Sequence, residues 1–219
     1  QPQNQFNYLI AGLENSYSWK KYKNEYQKQI EILADKQNKG QFSVTTMSDF
    51  ASWYKNKFPG ISPEQIIIAD DTLGTSKKTV WYMDPYYRTG WFYNGKENSL
   101  RDVRQYVEGQ EEPCYNSACK QINFATFSTR VLDDVTYKQK LIIDEGKIKD
   151  FKVDKKNGNY TIYYSNQAGK NRSIEFLQRD ISIDGKISSI DSLILNVQKT
   201  PITNQQENIE NVLEIKAFQ

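Results

Sequence analysis

Apolar positions in the first third of the chain switch between short continuous runs and helical spacing. Residues 6–13, Phe-Asn-Tyr-Leu-Ile-Ala-Gly-Leu, read as a buried strand ending at Glu14. Beyond it, Trp19, Tyr22, Tyr26, Ile30 and Leu33 recur every three or four residues, while Lys20, Lys21, Lys23, Glu25, Lys28 and Glu31 fill the other face. That spacing predicts an amphipathic helix of about five turns, capped by Ser16 or Ser18 and followed by Gly40. Residues 42–46 alternate and are β-branched, as a strand would be. Residues 47–58 then place Phe50, Trp53, Tyr54 and Phe58 on one helical face, with Ser48 as the natural cap and Pro59-Gly60 as the stop. One short turn at 62–65 and a strand over 66–69, running into Asp70-Asp71, complete this part.

From about residue 79 the period shortens to two. Residues 79–83 and 90–93 flank Asp84-Pro85-Tyr86-Tyr87-Arg88, predicting a hairpin with a broad loop, and Asn94-Gly95 marks a further turn. Leu100, Val103 and Val107 share one side of 99–108, which reads as a short helix leading into a loop bounded by Cys114 and Cys119. Strand candidates follow at 122–129, 138–144, 147–153, 160–165, 173–183 and 186–197, separated by Glu145-Gly146, Asn157-Gly158, Ala168-Gly169 and Asp184-Gly185. Asn-Gly and Asp-Gly between alternating runs are strong hairpin signals. The expected fold is α+β: a small α/β segment at 1–76, strand–helix–strand–helix–strand, packed on an antiparallel β-sandwich at 77–200. A tail element at 201–219 carries Ile209, Val212, Leu213, Ile215 and Phe218.

Composition narrows the chemistry more than the fold. The 219 residues include no His, which removes His-ligated zinc, Ser-His-Asp and Cys-His centres and a His general base. Carboxylates, Tyr, Lys, Arg and two Cys remain, with no metal site and no cofactor implied; Gly-rich phosphate loops are missing. Charge is nearly balanced, 29 Lys+Arg against 27 Asp+Glu, and Lys96, Arg101 and Arg104 are too few for a nucleic-acid stripe, so no nucleic-acid partner is expected. No apolar run approaches the ~20 residues that span a bilayer. The opening Gln1-Pro2-Gln3 reads as a mature exported protein or as a piece of a longer one. Cys114 and Cys119, with Pro113 at the mouth of their loop, read as a disulfide of an oxidising compartment, or alternatively as two thiols; the expected location is extracellular or the cell surface.

Two groups of residues are candidates for function. Glu14 and Asp70 each end an apolar strand, where ligand-binding carboxylates accumulate, and would serve as acid and base of a glycosidase. A first-turn helix acid and a turn-forming Asp are the simpler accounts of them. The second group is aromatic: Trp81, Tyr82, Tyr86, Tyr87, Trp91 and Tyr93, with Asp84 and Arg88 among them. Alternation sets Trp81 opposite Val80 and Tyr82, so some rings face solvent. Rings beside Asp and Arg suit a sugar, whose C–H face stacks on an aromatic plane while its hydroxyls take hydrogen bonds. Packed core aromatics are the alternative.

The order Leu9-Ile10-Ala11-Gly12-Leu13-Glu14-Asn15, a long helix, and then Phe42-Ser43-Val44-Thr45-Thr46-Met47-Ser48-Asp49-Phe50-Ala51-Ser52-Trp53-Tyr54 resembles the last strands and helices of a polysaccharide deacetylase-like or family-57-like glycoside hydrolase barrel. Such barrels carry a β-sandwich after them, a place that residues 77–200 suit. The resemblance implies the C-terminal portion of a larger carbohydrate-active protein, with Glu14 the one group that corresponds to its pocket. The deacetylase metal centre, an Asp and two His, has no counterpart here, and too few strands are present to close a barrel. Three functions follow as expectations. The first is a non-catalytic accessory module that contacts a polysaccharide or other glycan through Trp81, Tyr86, Tyr87, Arg88 and Trp91. The others are a glycosidase fragment using Glu14 and Asp70, and a structural or adhesive cell-surface protein.

Overall fold

A computed structural model describes residues 1–12, 16, 18–106 and 131–198. The chain forms two compact units, one of Gln5–Ser62 and one of Gln1–Asn4 with Pro63–Gln219. The expected Glu14 and the Cys114–Cys119 loop, the strand at 122–129 and the tail at 201–219 lie outside the described residues. No helix among the described residues is long and apolar enough to cross a membrane.

The smaller unit holds helices α1 (Trp19–Asn38) and α2 (Met47–Lys57). Gly40 ends α1 in a left-handed conformation, φ +68°, and amides beyond the helix close back on it: Gly40 N donates to Gln37 O at 2.9 Å and Gln41 N to Lys36 O at 3.0 Å. The cap of α2 is Thr46, not Ser48. Its hydroxyl accepts from Asp49 N at 3.1 Å and donates to the Asp49 carboxylate at 2.8 Å, a reciprocal cap that Ser48, one turn position too far in, is not placed to make. The strands expected at 6–13 and 42–46 do not form over the described residues 6–12 and 42–46. Extended runs need a partner ladder, and here Phe6 instead packs among Trp53, Tyr54 and Phe58 at centroid distances of 5.5, 5.5 and 5.4 Å.

The larger unit is two antiparallel sheets, so the α+β expectation holds, with a sandwich-like pair at its centre. The first sheet comprises β1 (Gln65–Asp70), β2 (Lys78–Met83), β3 (Tyr87–Tyr93), β4 (Glu97–Gln105) and β5 (Val131–Asp133), with β6 (Leu141–Glu145) also on β4. A four-residue helix α3 (Asp134–Tyr137) follows β5. The second sheet runs β7 (Lys149–Lys156), β8 (Asn159–Ser165), β9 (Asn171–Phe176), β10 (Asp180–Ile183) and β11 (Lys186–Ser189), and helix α4 (Ile190–Gln198) ends the described chain.

Several boundaries differ from those expected, each for a local reason. The helix expected at 99–108 is strand β4 up to Gln105. Gly90 pairs with Asp102 but Trp91 pairs with Leu100, so Arg101 is an extra residue, and the bulge turns the strand's period of two into the i, i+3 burial of Leu100 and Val103. The run 173–183 breaks into β9 and β10 at 177–179, and 186–197 is a strand followed by a helix. There Ile190, Leu193, Ile194 and Val197 take helical spacing behind Ser189, whose Oγ accepts from Ser192 N at 3.2 Å. The loop of the β2–β3 hairpin is short: Asp84 N donates to Tyr87 O at 3.0 Å, so Tyr87 and Arg88 are already in β3. Asn157-Gly158 and Asp184-Gly185 make the hairpin turns expected of them, all four residues at positive φ. Glu145-Gly146 does not; it passes the chain from β6 in one sheet to β7 in the other.

The core lies between the sheets. Tyr82 stacks on Phe176 at 4.9 Å and Trp91 on Phe151 at 5.4 Å, each pair joining one sheet to the other, and Ile162, Ile174, Ile181 and Leu132 fill in around them. A polar chain crosses the same core. Asn98 Oδ1 accepts from Trp91 Nε1 at 3.2 Å and lies 3.1 Å from the Tyr164 hydroxyl, which donates to Asp144 at 2.5 Å; Asp144 in turn is 2.9 Å from Arg172. Burial and the Asp144 carboxylate push the Tyr164 hydroxyl well above the usual phenol range. The open edge of β1 is closed by side chains: Asn4 Nδ2 donates to Ile66 O and Asn4 Oδ1 accepts from Ile66 N, both at 2.9 Å, as a neighbouring strand would.

Candidate functional site

The expected aromatic platform is divided by the pleat of β2 and β3. Val80 and Tyr82 point inward on β2, and Tyr87, Trp91 and Tyr93 inward on β3. Tyr87 and Trp91 have no exposed surface, so neither touches a ligand from solvent. The Tyr87 hydroxyl is spent on the second sheet, donating toward Leu177 O at 3.0 Å with Asp180 O at 3.3 Å. This corrects the expectation that both rings belong to one ligand surface.

Trp81 and Arg88 lie on the opposite, outward face of the first sheet and remain together. Trp81 pairs with Gly90 across the ladder, and the benzo edge of its indole lies over that glycine: a Cβ at Gly90 would stand 3.1 Å from the indole and 2.8 Å from the Phe92 ring. Phe92 meets Trp81 edge-on at 5.5 Å, and the Arg88 guanidinium sits 5.8 Å from the centroid of the indole. Phe92 carries a second guanidinium, that of Arg101, at 5.1 Å. The bulge that displaces Arg101 from the ladder is what brings it over this ring.

Beside the rings runs a chain of ion pairs. Arg88 donates to both oxygens of Asp102 at 3.1 and 3.3 Å, Arg104 donates to Asp102 at 3.3 Å and to Asp133 at 2.9 Å, and Arg101 donates to Asp134 at 2.6 Å. Asp133 also accepts from Val135 N at 2.9 Å, so the second partner is fixed by its own turn. The result is a row of planar donors and acceptors in set orientations next to a partly exposed indole. Bidentate guanidinium–carboxylate pairing holds such groups more rigidly than lysine would. Sequence reading placed Trp81 and Arg88 in one cluster; Arg104 and Asp133 it met only as isolated charges, and strand pairing brings them and Asp102 beside that cluster.

Tyr86 stands apart from this face. Arg179 lies 4.2 Å over its ring and Gln178 Nε2 donates to its hydroxyl at 3.2 Å, so the ring is engaged by the β9–β10 connection. The β2–β3 turn that carries Tyr86 also holds a perturbed acid, Asp84. Asp84 Oδ1 accepts from Tyr86 N at 2.7 Å and Tyr87 N at 2.8 Å, which fixes the turn, and its carboxyl is buried. Burial raises its pKa to about 6 against the opposing pull of those amides. Glu64 lies nearby, accepting from the Tyr82 hydroxyl at 3.3 Å and paired with Lys155.

Asp70 is an exposed partner of Lys78 at 2.5 Å. Its neighbour Asp71 shapes the next turn, accepting from Thr75 Oγ1 and from Leu73 N at 3.0 Å, and the Thr75 hydroxyl holds its carboxyl below the usual range. Among the described residues no three Asp, Glu, Cys or His side chains cluster as metal ligands would. Comparison of the chain with family models, with curated proteins and with solved structures returned no match in any of the three.

Proposed function

We propose that the two-sheet unit is a non-catalytic glycan-contacting module of an exported carbohydrate-active protein, and that the contact surface is the outward face carrying Trp81, Arg88 and the Asp102–Arg104–Asp133 chain. The observation that carries this reading is the placement of a partly exposed indole over Gly90, flanked by Arg88 and by oriented carboxylates. A pyranose laid on the exposed part of the indole would meet the Arg88 guanidinium beside it, which Asp102 holds in place. The sheet is rigid and the ion pairs are formed in advance, so little side-chain entropy is lost on binding.

Affinity electrophoresis through gels containing soluble β-glucan, xylan or glycol chitin tests the reading. The wild-type chain is expected to be retarded in at least one gel, W81A and R88A to run free, and Y86A to remain retarded. Migration unaffected by every gel, or W81A retarded as strongly as wild type, overturns it.

A further inference from the structure

The mouth of the sandwich carries a cleft lined by none of the residues of the Trp81 face. Where the sheets part, a cleft of about 650 Å3 is lined by Lys78 and Tyr93 of the first sheet with Ser76 and Gly95 of its turns, and by residues 147–151 at the entry to β7. That size is within the roughly 300–1,000 Å3 of small-ligand clefts. The β7 side is held in place by main-chain hydrogen bonds: Lys147 N donates to Gln167 Oε1 at 3.2 Å and Ile148 N to the Tyr93 hydroxyl at 3.4 Å. A bulge between Lys149 and Lys152, with Asp150 at φ +53°, turns this segment at the rim.

The rim carries more lysines than acids. Three lysines line it, Lys78, Lys147 and Lys149, against one acid, Asp150. Lys78 is partly neutralised by Asp70, and Asp150 accepts from Ser165 Oγ at 3.1 Å. Lys147 and Lys149 are exposed and form no ion pair among the described residues. Unpaired cations at the rim of a concave site raise the local concentration of anions.

We propose that this mouth binds an anionic oligosaccharide, its acidic groups meeting Lys147 and Lys149 and its hydroxyls meeting Ser76 and Asp150. A purely apolar ligand is disfavoured by three charges at the opening. A nucleobase has little ring to stack on, because Phe151 is already engaged by Trp91 at 5.4 Å and by the Lys78 ammonium at 5.2 Å. Carboxylate, sulfate and phosphate esters share the required chemistry, and the test separates them.

Calorimetric titration of the full chain at low and moderate salt uses a short oligogalacturonate, a sulfated galactan oligomer and a neutral galactooligosaccharide of equal length, with a single-stranded oligonucleotide of matched charge as control. At least one acidic oligomer is expected to bind at least tenfold more tightly than the neutral one and the oligonucleotide, with affinity falling as salt rises. The exposed double variant K147E/K149E is expected to weaken that binding at least tenfold, and W81A to leave it within twofold. Equal binding of the neutral oligomer, equal binding of the oligonucleotide, no binding of either acidic oligomer, or K147E/K149E within twofold of wild type overturns the proposal. The titrations are repeated in W81A, which removes the Trp81 face, and the comparison of acidic with neutral oligomer is read there, so either site can fail while the other stands.

Discussion

Trp81 and Trp91 belong to the same hairpin, and their surroundings differ in almost every respect. Trp91 is fully buried, its Nε1 committed to Asn98 and its ring to Phe151. Trp81 is partly exposed, lies over a glycine and is flanked by the Arg88 guanidinium. One tryptophan is a joint between sheets and the other is surface. The difference teaches that a dense aromatic cluster in a strand pair is two populations, separated by pleat, and that only the outward one is available for recognition.

Substitutions that distinguish the two faces have graded consequences. W91A is expected to cost most, about 3–5 kcal/mol in urea unfolding, because it opens a cavity and strands the Asn98–Tyr164 contacts. A loss below about 1 kcal/mol would mean that Trp91 is not the joint described. G90A adds a methyl group at 2.8 Å from Phe92 and 3.1 Å from Trp81, neither of them backbone. About 1–3 kcal/mol is expected, together with loss of glycan retention as the indole is displaced. Retention at the wild-type level would show that the indole's seat over Gly90 is immaterial.

Asp84 gives a smaller effect confined to a pH window. Its folded pKa, about 6, lies above its ordinary value of 3.8, so the folded state holds the proton more tightly between those values. Its contribution is therefore greatest below about pH 4 and falls as pH rises through 6. D84N keeps the oxygen that accepts from Tyr86 and Tyr87 and removes the titration. Unfolding midpoints of D84N relative to wild type are expected to improve as pH rises from 4 to 7, and a constant difference would contradict the burial argument. The smallest stability effect belongs to W81A, within about 0.5 kcal/mol of wild type, since a partly exposed ring fills no cavity. Its effect appears in binding instead.

Much of this was legible from residue spacing. The three- and four-residue recurrence from Trp19 to Leu33 gave α1, and Asn157-Gly158 and Asp184-Gly185 gave their turns because a two-residue turn demands positive φ that those residues tolerate. Misreadings came where a tertiary feature altered the period. The bulge at Arg101 imitated a helix, and the runs at 6–13 and 42–46 have strand composition without a strand beside them. The break at 177–179 carries no Gly or Pro to announce it. For the site, alternation already placed Trp81 opposite Tyr82, but Gly90, Asp102 and Asp133 reach Trp81 and Arg88 only through pairing of β2, β3, β4 and β5. Such register is long-range information that no local window contains.

The division of the two tryptophans is read most directly from the indole N–H signals of isotope-labelled protein, assigned with W81F and W91F, during titration with the saccharide whose gel retards the chain. The Trp81 signal is expected to move progressively to saturation while the Trp91 signal, held by Asn98, stays within line width. Movement of Trp91 with Trp81 unchanged, or a saturating titration that moves neither, would contradict the assignment of recognition to the outward face.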